Sequence, residues 1–91
     1  MRDLGTLRDD NLGYSYANVV SADGAVVVGD SETDDGYRAF RWDTGTGVMR
    51  DLGALRSDNS GDSYAYAMSA DGAVVVGEAE TDDSYRAYRW D

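Results

Sequence analysis

The chain of 91 residues contains no cysteine, histidine, lysine, proline, isoleucine or glutamine. Each absence removes a class of chemistry. Without cysteine there is no disulfide framework, no thiolate nucleophile and no thiolate zinc site. Without histidine there is no imidazole base near neutral pH, no imidazole metal ligand and no serine–histidine pair. Without lysine there is no Schiff base and no phosphate-binding P-loop. Basic charge is also scarce: eight arginines face eighteen Asp and Glu, for a net charge of −10. That balance argues against nucleic acid as a partner, because phosphates attract Lys and Arg. It argues equally against anionic membrane surfaces. No apolar run approaches the roughly 18 residues of a membrane-spanning helix. Met1–Gly5 lacks the apolar segment of a secretory leader. These residues are therefore expected either in the cytoplasm as made or as a piece of something larger.

What is present is a repeat. Asp3-Leu4-Gly5 recurs as Asp51-Leu52-Gly53, and Ser21–Gly29 recurs unchanged as Ser69–Gly77. Residues 3–43 align with 51–91 at an offset of 48 without a gap, and 30 of the 41 positions are identical. Repeat one spans about 1–48 and repeat two about 49–91. Two full periods need 96 residues; the segment Thr44–Val48 has no counterpart after Asp91, and Met1-Arg2 matches Met49-Arg50. The chain has the pattern of a repeat array opened inside one loop.

Within each repeat the hydrophobic period is 2, with turn punctuation, and Gly and β-branched residues interrupt every helical window. Four short strands are expected per repeat: near Ser15–Ala22, Ala25–Gly29, Tyr37–Trp42 and Val48–Leu52, the last with Met1–Leu4 as its N-terminal equivalent. Asp23-Gly24 between the first two predicts a tight type I′ hairpin turn. Three consecutive valines, Val26–Val28, suit a strand buried on both faces. Four antiparallel strands in a repeat of this length point to an all-β fold of two four-stranded propeller blades per chain, assembling into a closed ring.

The motifs Asp-Leu-Gly-Thr-Leu, Ser-Tyr-Ala, Ser-Ala-Asp-Gly-Ala-Val-Val-Val-Gly and Arg-Ala-Phe-Arg-Trp resemble the HAF repeats of large bacterial and archaeal extracellular proteins. The resemblance covers essentially the whole chain. The His-Ala-Phe tripeptide reads here as Arg38-Ala39-Phe40 and Arg86-Ala87-Tyr88. The resemblance implies a propeller-type repeat of no assigned catalytic activity and supplies no functional residues.

A blade cannot bury both faces alone, so two blades leave two apolar faces open and favour association. Repeat two lacks its own outer strand, and residues 1–7 are the only free one, so a neighbouring chain is expected to supply it head-to-tail. Two blades per chain give rings of four, six, eight or ten; a tetramer with eight blades is favoured, with a trimer as runner-up. The expected function is a structural, self-assembling homo-oligomer, without catalysis or cofactor. Two near-identical repeats starting with Met also resemble a designed or reconstructed symmetric propeller. The alternative is a binding module that uses the ring channel or an acidic rim for a cation, a glycan or a protein.

The candidate sites are sparse. Asp34, Asp35, Asp82 and Asp83 cluster with Glu32 and Glu80 and are the weak calcium candidates, since hard cations prefer oxygen ligands. No full calcium-loop spacing accompanies them, and a solvated loop explains them as well. Asp9–Gly13 and Asp58–Asp62 carry oxygen side chains around glycine, which are equally ordinary turn residues. Paired carboxylates for glycoside hydrolysis have no support beyond acid count. Arg38, Arg41, Arg86 and Arg89 are expected to pair with Asp30, Asp43 or Glu78, or to stack on Trp42 and Trp90.

Overall fold

A computed structural model describes residues 1–8, 10, 12–34, 36–56 and 61–91. Seven strands form two antiparallel sheets, and no helix occurs among the described residues. The first sheet runs β1 (Ser15–Val20), β2 (Val26–Thr33), β3 (Gly36–Asp43) and β4 (Val48–Asp51), in that order. The second runs β5 (Ser63–Met68), β6 (Val75–Glu80) and β7 (Tyr85–Trp90). Sequential strands are neighbours throughout, as short connections dictate. β2 and β3 extend further than the sequence pattern suggested, because polar residues up to Thr33 continue the ladder to Gly36. The described residues form no closed ring.

The β1–β2 turn differs from the expected two-residue hairpin. Ser21 O accepts from Gly24 N at 3.0 Å, and the ladder closes one step later, with Ser21 N donating to Val26 O at 2.9 Å. Gly24 sits at φ 76°, where only glycine is unstrained. Asp23 Oδ1 accepts from the Ser21 hydroxyl at 2.7 Å and from Ala25 N at 3.0 Å. Repeat two builds the same turn from Ser69, Asp71, Gly72 and Ala73.

The first strand of each sheet, at its edge, carries a bulge. Ala17 pairs with Gly29 and Val19 with Val28, so Asn18 is the extra residue; Tyr66 takes that place in β5. A bulge twists the strand and re-aims a side chain. It also explains Gly29 and Gly77. A Cβ at Gly29 would run into the carbonyl oxygen of Tyr16, and one at Gly77 into that of Tyr64.

The core lies between the sheets. Val26, Val28 and Ala39 of the first sheet pack on Ala65 and Val75 of the second. Trp90, Tyr88, Leu52 and Met68 close around them. The valine triplet is therefore buried on one face at a time. Val26 and Val28 are buried and Val27 half-buried; in the second sheet Val75 is buried and Val76 exposed. The reason is geometric: two sheets share one junction, so each spends a single face on it.

Gly29→Ala or Gly77→Ala should destabilise the fold by at least about 2 kcal/mol, because backbone must move. Gly45→Ala, where a Cβ meets nothing within 4 Å, should stay within about 0.5 kcal/mol. Urea unfolding checks both. The turn carboxyls add a pH dependence. Asp23 is held below its ordinary value of 3.8 by the Ala25 amide and then the Ser21 hydroxyl. Asp71 is lowered by the Ser69 hydroxyl and then the Ala73 amide. Both bind a proton less readily folded than unfolded. The stability they supply is complete above the ordinary value and is lost as pH falls through the lower, folded one. Replacing both by Ala should flatten the fall of melting temperature between roughly pH 4 and 2.

Candidate functional site

The junction between the sheets is the most elaborated site in the molecule, and its polar contacts start from the bulge. Asn18 Nδ2 donates to Asp30 Oδ2 of its own sheet at 3.1 Å and to Ala65 O of the other at 2.9 Å. Asp30 Oδ1 in turn accepts from Ala65 N at 3.0 Å. The peptide of Ala65 is thus held on both sides by one Asn–Asp pair. Burial pushes the Asp30 carboxyl up, against the lowering effects of Asn18 and the Ala65 amide. The Asp30 charge helps raise Tyr88 to about 12, after burial, so the Tyr88 hydroxyl stays a donor, here to Tyr64 O at 3.0 Å.

A second group of contacts closes the edge of β3. β4 pairs only with Phe40–Asp43, which leaves the β3 amides nearer Gly36 without a strand partner. The start of β5 supplies acceptors instead. Tyr37 N donates to Asp62 Oδ1 at 3.0 Å and Ala39 N to Ser63 Oγ at 2.8 Å. Arg38 Nε donates to Gly61 O at 2.7 Å, and Arg41 to Gly72 O. Buried backbone groups are costly when unpaired, so these residues are what allows β3 to end under the second sheet. Asp62 also receives the Tyr64 and Tyr85 hydroxyls at 3.3 and 3.2 Å. Burial and then the Asp62 charge push Tyr64 up to about 12.

The expected arginine partners are largely different ones. Arg41 pairs with Asp43 two residues along its own strand, at 3.2 Å, and Arg38 with Asp51 at 3.4 Å. Both cross the junction through carbonyl oxygens, which accept from a guanidinium as readily as a carboxylate does. Arg89 pairs with Asp91 at 3.7 Å. The stacking cations are Arg2 over Trp42, at 5.0 Å, and Arg50 over Trp90, at 5.3 Å. Asp30 pairs with Asn18, and Glu78 Oε1 accepts from the Tyr66 hydroxyl at 2.6 Å.

The acidic loops sit apart from the junction. Arg8 draws Asp10 to 3.0 Å, Glu32 to 3.2 Å and Asp34 to 4.0 Å, and Arg56 holds Glu80 at 3.2 Å. The Arg8 guanidinium keeps Asp10 below its ordinary value. Asp82 and Asp83 lie exposed in the β6–β7 turn, where Asp83 N donates to Thr81 Oγ1 at 3.2 Å. Asp35 lies outside the described residues, as do Asp9, Asn11 and Ser57–Ser60. Among the described residues no three His, Cys, Asp or Glu side chains gather as metal ligands.

No protein-family model, no curated protein and no solved structure matches the chain.

Asp30→Ala should cost about 1–3 kcal/mol, since it strands the Ala65 amide and the Asn18 side chain. Asp30→Asn keeps one acceptor and should cost less. Thermal unfolding of the two variants side by side tests this order.

Proposed function

We propose that the chain is a structural, self-assembling module of HAF-repeat type, in which its two sheets are blades of a β-propeller and copies join head-to-tail into a closed ring. The favoured ring is a tetramer with eight blades. The role is architectural, with no catalytic centre and no cofactor. One observation carries this reading: residues 1–4 lie against the first sheet as residues 49–52 lie against the second. Arg2 stacks on Trp42 as Arg50 stacks on Trp90. Leu4 lines a depression on the first sheet, as Leu52 packs at the core of the second. Yet Met49–Asp51 belong to a strand, whereas Met1–Asp3 pair with none in their own chain. The N-terminal residues thus occupy the place of a preceding blade's outer strand.

The second sheet lacks that strand. Its order ends at β7, and the outer edge of β7 has no partner among the described residues. Carrying the β3–β4 register over by 48 positions pairs Asp3 with Tyr88, Arg2 with Arg89 and Met1 with Trp90 of another copy. An open edge of this kind otherwise templates unspecific pairing.

The mass in solution tests the proposal directly. A tetramer is expected, and a well-behaved monomer would overturn the assembly. Removing residues 1–7 should abolish the oligomer while most strand signal in circular dichroism persists. Salt supplies a second arm. Four chains of −10 bring −40 onto one ring, and salt screens that repulsion over a Debye length of about 10 Å at 0.1 M. Assembly should therefore strengthen from low to moderate salt.

A further inference from the structure

Resting on that self-assembly, we infer that the two sheet faces left open by one chain are the two halves of a single junction. Each is covered by a second copy of this chain, in the register that the chain's own sheets already use. Residues identical between the repeats are differently covered. Val28 is 0% exposed and its equivalent Val76 42%. Arg38 and Ala39 are buried, while Arg86 and Ala87 are exposed. On the opposite faces the order reverses: Ser63 and Ala65 are buried, Ser15 and Ala17 exposed. A Cβ at Gly72 would press on Val26, whereas at Gly24 it would meet nothing within 4 Å. Val28 and Ala39 lie on one face of the first sheet and Ser63 and Ala65 on the Val75 face of the second, while Arg38 lies on the opposite, Val27 face of the first. Val76 and Ala87 lie on the Val76 face of the second sheet, and Ser15 and Ala17 on the β1 side of the Val27 face of the first, whose β3 side, with Phe40 and Trp42, is already buried; Arg86 lies on the Val75 face.

The two exposed faces are complementary group by group. In the chain, Ala39 N donates to Ser63 Oγ. Ala87 N is then matched to Ser15 Oγ of the next copy. Ser15 already donates its own proton to Gly5 O at 2.7 Å and keeps lone pairs to accept. Arg38 reaching Gly61 O becomes Arg86 reaching Gly13 O. Arg41 reaching Gly72 O becomes Arg89 reaching Gly24 O. Asp30 accepting from Ala65 N becomes Glu78 accepting from Ala17 N. Two contacts do not transfer: Tyr14 stands at the position of Asp62, so Tyr85 N finds no carboxylate there, and Tyr66 stands at the position of Asn18, so Ala17 O of the next copy finds no amide donor. A protein of unrelated surface would have to reproduce this spacing of donors and acceptors by chance. The same chain carries it already.

Ala17→Asp blocks only the Val27 face and Val76→Asp only the Val76 face, both at positions that solvent reaches in the single chain. Each variant alone should lose the oligomer, with association weakened at least ten-fold, and keep the strand circular dichroism. Mixed in equal amounts, they should form one-to-one dimers and nothing larger, because one intact half remains on each. Should an aspartate disturb the fold, Ala17→Arg and Val76→Arg carry the same test. A wild-type chain that is monomeric at every concentration overturns the assembly itself. A wild-type oligomer that survives in either variant overturns this face assignment alone. So does a Val76→Asp variant that pairs with itself, since like faces would then be meeting.

Discussion

The constraint on which this molecule depends is that a β-sheet has two faces and a sheet of three or four strands can cover neither by itself. The chain resolves half of the problem internally. Val26, Val28 and Ala39 meet Ala65 and Val75, small and β-branched residues that let two pleated surfaces interlock closely. At roughly 25 cal/mol per Å² of apolar surface removed from water, this patch stabilises the fold alongside Phe40 and Trp42, which are buried on the other face of the first sheet. In the proposed ring the other half falls to neighbouring copies, since the repeat makes the covering face and the covered face twice.

The polar contacts follow from that packing. Two sheets stacked face to face bring strand ends and turns over one another, so backbone groups at the overlap lose water. Three devices restore their partners: the bulge that turns Asn18 toward Ala65, the carboxylate of Asp62 under Tyr37, and the hydroxyl of Ser63 under Ala39. None involves a long-range charge pair buried in apolar surroundings, which would bring a desolvation cost in excess of its attraction. The junction is specific in register, and its half-buried carboxylate, Asp30, is held by amide donors.

Much of this was legible in the sequence. Alternation of apolar and polar residues placed the seven strands observed but also Met1–Leu4, which pairs with no strand of its own chain, and the offset of 48 made the second sheet resemble the first. The register of the bulge was hidden, because Tyr-Ala-Asn-Val-Val alternates as well with one pairing as with another; only the steric demand at Gly29 decides it. Burial was hidden for a different reason. Ala17 and Ala65 sit in the same Ser-Tyr-Ala motif, and nothing local tells which of them another sheet will cover. Among the arginine partners Asp43 was legible and does pair with Arg41, but the contacts of Arg38 and Arg41 to Gly61 O and Gly72 O were not, because sequence pairs charge with charge whereas a folded junction also offers carbonyl oxygens.

That last point bears on why all eight basic residues are arginine. Arg38 spans Gly61 O and Asp51, and Arg41 spans Gly72 O and Asp43. Each ties a strand, its own carboxylate neighbour and the adjoining sheet through one planar group whose donors point in several fixed directions. An ammonium holds its donors on a single nitrogen at the end of a flexible stem and would satisfy one of these acceptors at a time. Arg2 and Arg50 exploit a different property, the flat guanidinium face against the indoles of Trp42 and Trp90. In a chain this acidic, basic side chains are too few to act as simple counter-charges. Arg38 and Arg41 are placed where one side chain joins three pieces of structure, while Arg8 and Arg56 gather the carboxylates of the acidic loops.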